Sequence, residues 1–249
     1  MQAVQAYLRR SNAFRGRVEN EQVLRWLNDP DVEPRLLLRF LVEHASLSVQ
    51  LTEPVDGWIR RAGERCVAGN WRTIGERLQA HAHHEEGHHL LLIDDTQRLV
   101  SCWNERYNDM PLAAATMLAR SPLPPMQRYI DLHEETIKGE RPYLQIAIEL
   151  EIERLALSWA PTFVANVRTV LGEEVWRSLH FLHAHIALDV GHTAYNESLL
   201  AAILEAVPSS LEHLLHTGEA AFHAYIDFLV ACWEQTCTAL EPTRRAGVG

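Results

Sequence analysis

The sequence predicts an all-α, single-domain helical bundle covering residues 1–249, and three observations predict it. Apolar residues recur at helical spacing along almost the whole chain, segments of strict apolar–polar alternation are scarce, and prolines and glycines punctuate the periodic stretches. A chain of 249 residues is long enough to bury a sizeable core without disulfide or metal staples.

Taken in order, the pattern places helices at about 20–28, 35–51, 54–67, 71–105, 111–119, 124–138, 142–170, 173–205 and 208–240. Pro30 and Pro34 part the first two, and Pro54 ends the second, because the residue before a proline avoids helical backbone. Gly69-Asn70 closes the third. Pro111 and the S-P-L-P-P stretch at 121–125 bracket the short fifth helix, and Pro142 opens the seventh. Leu171-Gly172 and Pro208 set off the two long helices at the C-terminal end. Several of these helices reach twenty residues or more, which suits a bundle with ligands projecting into its interior.

Composition narrows the function. Acidic residues number 33 against 23 basic, a formal charge of −10, and the Lys and Arg are scattered rather than gathered into a stripe that neutralises phosphates. Nucleic acid is therefore not an expected partner. The start, MQAVQAYLRRSNAFRGR, lacks the apolar core of a secretory signal, and no run of about 18 apolar residues suggests a membrane span, so a cytoplasmic location without a membrane partner is expected. Cys66, Cys102, Cys232 and Cys237 form no C-x-x-C pair and read as core thiols.

The stretch SLHFLHAHIALDVGHTAYNESLLAAIL, residues 178–204, is apolar around most of a helix, so its polar groups need an explanation. His185, Asp189 and His192 are spaced i, i+4, i+7 and lie on one stripe. Burying them without partners is costly, and a cation that binds all three offsets the cost. A second concentration, HAHHEEGHH at 81–89, contains Glu85-x-x-His88, the pairing with which one helix of a carboxylate-bridged two-metal site supplies an oxygen and a nitrogen. On a helix, Glu85 and His88 share a face. His81, His84 and His89 stand beside these ligands or face solvent; His83, His180 and His183 read as surface or core hydrogen-bonders.

Such a site also needs a carboxylate from each of two further helices. In PYLQIAIELEIERLALSWAP, Glu153 shares a stripe with Ile146, Leu150 and Leu157, while Glu149 is a fallback and Glu151 falls on the more solvated side. In LVEHASLSVQLTEPVDGW, periodicity prefers Glu43, which interrupts the stripe Leu36, Phe40, Leu47. Glu53 lies at a proline-induced break where a carboxylate can also turn inward, and the residues alone leave both open.

The segments TEPVDGWIRRAGERC, HHEEGHHLLLIDD, ELEIERLALSWAP and HAHIALDVGHTAYN, within residues 52–195, resemble the heme-oxygenase-like diiron oxidases and oxygenases. The resemblance implies a heme-oxygenase-like bundle whose metal ligands are Glu53, Glu85, His88, Glu153, His185, Asp189 and His192, and it selects Glu53 over Glu43. It implies two iron ions as cofactor and dioxygen as co-substrate. The substrate expected is a small metabolite, an amino acid, amine or fatty acid, undergoing N-oxygenation, desaturation or oxidative C–C cleavage. With no G-x-G-x-x-G fingerprint after a strand, electrons are expected from an external donor. A second copy of the chain, as a homodimer, is a further candidate partner. The competing readings are a ferritin-like iron oxidase, a metal-free thiaminase-like hydrolase with a cysteine nucleophile, and a binding protein on the same scaffold.

Overall fold

The chain turns helical sooner than its periodicity predicts, because Tyr7, Ser11 and Phe14 form a buried i, i+4, i+7 stripe in a segment the sequence pattern left without a helix. The computed structural model describes residues 2–241, the side chains of Asp189 and Val190 excepted, and contains no strand among them. The α-helices are α1 (Gln2–Arg15), α2 (Arg17–Asn20), α3 (Gln22–Leu27), α4 (Pro34–Thr52), α5 (Val55–Ala68), α6 (Arg72–Glu85) and α7 (His88–Arg106). They continue with α8 (Ala114–Leu118), α9 (Pro124–Lys138), α10 (Gln145–Leu171), α11 (Glu173–Arg177), α12 (His180–Ala206) and α13 (Leu211–Leu240). The all-α expectation holds. Short 3₁₀ turns at Pro142–Leu144 and Pro208–Ser210 precede α10 and α13.

Two long helices expected from periodicity are in fact pairs. The stretch 71–105 breaks at Glu86 and Gly87, where Glu86 is extended and Gly87 takes φ 82°, a left-handed conformation that glycine adopts without steric cost. The stretch 173–205 breaks at Ser178 and Leu179. Apolar residues continue through the second break, where Val175, Leu179 and Phe181 are buried, whereas the polar run 83–89 holds no apolar residue to mark the first.

α10 is the central element: it packs against α12 and α13 on its long sides and touches α4 and α9. Ile146, Ala147, Ile148 and Leu150 are all fully buried, so its first turns are apolar on nearly every side, the mark of a helix inside the bundle. Glu151 was expected on the solvated side but is fully buried, because α1 lies over it and Arg15 grips its carboxylate in two hydrogen bonds of 2.7 Å.

α5 and α6 form a close pair through two glycines. A Cβ built on Gly75 would stand 2.4 Å from the Gly63 carbonyl oxygen, and one on Gly63 would stand 2.7 Å from the Gly75 carbonyl oxygen. α4 begins at Pro34, with the Glu33 carboxylate accepting from the backbone N–H of Arg35 and Leu36 at 3.0 and 2.8 Å. Midway along α4, Glu43 is buried between Arg39, at 2.6 Å, and Arg120. Its carboxylate is occupied by this structural cluster.

No single helix among the described residues is long and apolar enough to cross a membrane.

Candidate metal centre

The break between α6 and α7 builds the centre of the site. Glu85 is the last residue of α6 and His88 the first of α7, so they do not share a helix face; the Gly87 turn folds one back onto the other. His88 Nδ1 lies 2.9 Å from Glu85 Oε2. From the other side, His192 Nδ1 on α12 lies 3.2 Å from Glu85 Oε1. The two oxygens of one carboxylate thus face two imidazoles on different helices.

Each half of this arrangement has further donors. His185 joins Glu85 and His88, with donor atoms of all three within 4.8 Å of one another, and its ring meets that of His88 edge-on at 4.8 Å. Its Nδ1 donates to the Phe181 carbonyl oxygen at 2.9 Å, which leaves Nε2 with a free lone pair for the site. On the other half, Glu153 Oε1 on α10 lies 3.8 Å from His192 Nδ1 and 3.6 Å from His81 Nε2. Asn196, one turn beyond His192, donates to Glu153 Oε2 at 2.7 Å and fixes the carboxylate's orientation.

The register of α12 is set by Asp95 of α7. Its carboxylate accepts from the backbone N–H of His180 and Phe181, each at 2.9 Å, and from the His180 ring, capping a helix whose first N–H groups would otherwise lack acceptors. Sequence inspection did not single out Asp95 or Asn196. The spacing of Asn196 four residues after His192 is a signal that could have marked it; Asp95 carries none, because its partner is 85 residues away.

Of the seven ligands implied by resemblance, Glu85, His88, Glu153, His185 and His192 come together. The side chain of Asp189 lies outside the described residues, although its backbone is part of α12. Glu53 does not join the group. It is exposed at the turn between α4 and α5, where it caps α4 with helical backbone despite the proline that follows. Glu149, the fallback, is buried one turn before Glu153 and borders the same cavity as Glu85 and Glu153.

That cavity, about 100 Å³, is walled mainly by apolar groups of α4, α10 and α12, among them Leu51, Leu155, Trp159, Phe181 and Leu182. Glu85, Glu149, Glu153 and His185 form its polar end, and no Lys or Arg lines it among the described residues. Burial and the neighbouring Glu85 charge push the Glu149 carboxyl up to about 8, while a hydrogen bond from Gln145 opposes them. Burial also raises Glu85, but the hydrogen bonds from His192 and His88 outweigh it and hold this carboxyl well below the usual range. Burial lowers the imidazoles of His185 and His81 to about 4, so both are neutral at pH 7, the form in which histidine binds metal.

These residues fit a metal pair. Three carboxyls converge on a cavity that no Lys or Arg lines among the described residues, and ionising them together there is costly without a cation to share. Oxygen and nitrogen donors without thiolate suit iron or manganese better than a cluster. Cys66, Cys102, Cys232 and Cys237 do not border the cavity, and burial raises the thiol of each.

No family model matches the chain, and no curated protein matches it. Solved structures do. A domain of unknown function with a heme oxygenase-like fold from Shewanella denitrificans superposes with a TM-score of 0.69 at 14% identity, covering 93% of this chain and 90% of that one. A TenA homolog from Pseudomonas syringae pv. tomato gives 0.63 at 12% identity over 94% and 92% of the two chains. A CADD-like protein of unknown function from Nostoc punctiforme gives 0.62 at 10% identity over 96% and 98%. At these identities the likeness establishes the fold: the chain is a heme-oxygenase-like helical bundle carrying a candidate carboxylate–histidine metal centre.

Proposed function

We propose that the protein is a non-heme diiron oxidase or oxygenase that activates dioxygen against a small, largely apolar metabolite. One observation carries the reading: the Glu85 carboxylate sets one oxygen beside His88 and the other beside His192, with His185 grouped on the first side and Glu153 near His192, at the edge of a largely apolar cavity. Glu85, His88, His185, His192 and Glu153 would hold two ferrous ions, with Glu149 supplying a further carboxyl at the cavity wall. When bound, the iron pair supplies the reduction of dioxygen and the oxidation of the substrate. Electrons come from an external donor.

The chain's own residues do the remainder. Leu155, Trp159, Phe181 and Leu182 exclude water and orient an apolar substrate against the polar end of the cavity. Asn196 keeps Glu153 turned toward the metals, and the Phe181 carbonyl keeps the His185 tautomer. The cavity's composition supports an oxidative enzyme over a cysteine hydrolase, since its wall presents no thiol among the described residues.

Anaerobic addition of ferrous iron to metal-free protein is expected to load two ions per chain. Exposure to air should then oxidise them with measurable oxygen uptake, stimulated by a member of a panel of amino acids, amines and fatty acids. Iron binding below one ion per chain, or loaded protein that consumes no oxygen, refutes the proposal.

A further inference from the structure

His81 sits four residues before Glu85 on α6, so both side chains project from one face of that helix. Its ring is fully buried, yet neither Nδ1 nor Nε2 has a hydrogen-bond partner, a condition that buried polar groups seldom show. Nε2 faces Glu153 Oε1 at 3.6 Å, too far for a hydrogen bond. The separation is close to that of two donors on one ion, about 3.0–3.4 Å when each bond is about 2.1 Å. Donor atoms of His81, Glu85 and Glu153 all lie within 4.8 Å of one another.

The ring is also held in place. Tyr195 of α12 lies parallel to it, centroids 5.8 Å apart, and the Tyr195 hydroxyl donates to the Arg77 carbonyl oxygen one turn earlier on α6 at 2.8 Å. His192 meets the His81 ring edge-on at 5.5 Å. An imidazole without hydrogen bonds, fixed on two sides and aimed at two carboxylates, has a donor atom and nothing in the protein to give it to.

We propose that His81 is a further imidazole ligand of the metal pair, binding through Nε2 the ion that Glu153 and one oxygen of Glu85 also hold, with Tyr195 as its positioning residue. The inference rests on the two-metal reading. It makes α6 a two-point chelate, His81 and Glu85, and gives the centre four imidazoles: His81, His88, His185 and His192. His84 serves as the internal control. It stacks on His192 at 5.7 Å, but its residue is exposed and it belongs to neither donor group.

Cobalt(II), which does not turn over and is paramagnetic, tests this in the full-length metal-free protein. Wild type is expected to bind two cobalt ions and to show four shifted imidazole N–H resonances. His81→Gln should show three and bind one of its two ions at least tenfold more weakly, with the circular dichroism of a folded helical protein. His84→Ala should match wild type in both respects. Three shifted resonances in wild type overturn the inference without need of a variant, as does a His81→Gln protein that binds both ions with unchanged affinity. Wild type that takes up no cobalt refutes the two-metal reading itself, and this inference falls with it.

Discussion

Gly75→Ala tests whether the close approach of α5 and α6 positions the site. The new Cβ would stand 2.4 Å from the Gly63 carbonyl oxygen, 2.7 Å from Val67 Cγ2 and 2.8 Å from the Val67 backbone nitrogen. Two of these three neighbours are backbone and cannot swing aside, so α6 must retreat by about 1 Å to restore ordinary contact, and overpacking of this kind costs about 1–3 kcal/mol. Alanine's better helix propensity returns about 1 kcal/mol. With backbone on the blocking side the upper end of the range applies, for a net loss of about 1–2 kcal/mol. Gly57, on the same α5, has open space within 4 Å of where a Cβ would stand, so Gly57→Ala should gain up to about 1 kcal/mol by propensity alone. Urea unfolding followed by circular dichroism should therefore give midpoints displaced in opposite directions with similar slopes. Because α6 carries Glu85, Gly75→Ala should also bind cobalt more weakly. A Gly75→Ala protein as stable as Gly57→Ala, or one that binds cobalt as wild type does, refutes the argument.

Glu43→Ala leaves Arg39 and Arg120 facing a buried site without their anion and should cost about 3–5 kcal/mol, with metal stoichiometry unchanged in the protein that remains folded. Glu53→Gln changes an exposed side chain and should shift stability by no more than about 0.5 kcal/mol. Its cobalt affinity should equal that of wild type, whereas Glu149→Ala should lower it; a tenfold loss in Glu53→Gln would restore the proline-break assignment. His44 gives a pH dependence. Burial lowers its pKa from 6.5 to about 4, so the folded protein refuses a proton that the unfolded chain accepts. Its contribution is fully present above about pH 6.5 and is lost as pH falls toward 4, amounting to about 3 kcal/mol at most. His44→Phe, stacking in place of the imidazole beside Phe40 and Phe228, should flatten the acid limb of the stability curve, and an unchanged limb would count against the argument.

The sequence by itself determined the helical class and pointed to most of the donors that the fold gathers. Periodicity of 3.6 is a local property, and His185 and His192 could be read from it because interrupting an apolar stripe with imidazoles is visible in one helix. Glu85 and His88 were found through a helical spacing that the fold does not use: a left-handed glycine brings them together across a turn, and sequence distance is short either way. Only the tertiary structure decided among the acids. Glu43 interrupts an apolar stripe as convincingly as Glu153 does, while Glu151 reads as solvated and is buried; Arg120 lies 77 residues from Glu43 and Arg15 lies 136 residues from Glu151, and those partners claim the two carboxylates for the scaffold. Glu149 and Glu153 instead open onto the cavity with Glu85. A buried charge is assigned its role by whatever cation or donor the rest of the chain delivers to it, and that delivery depends on contacts between distant segments, which a linear pattern of polar and apolar residues does not encode.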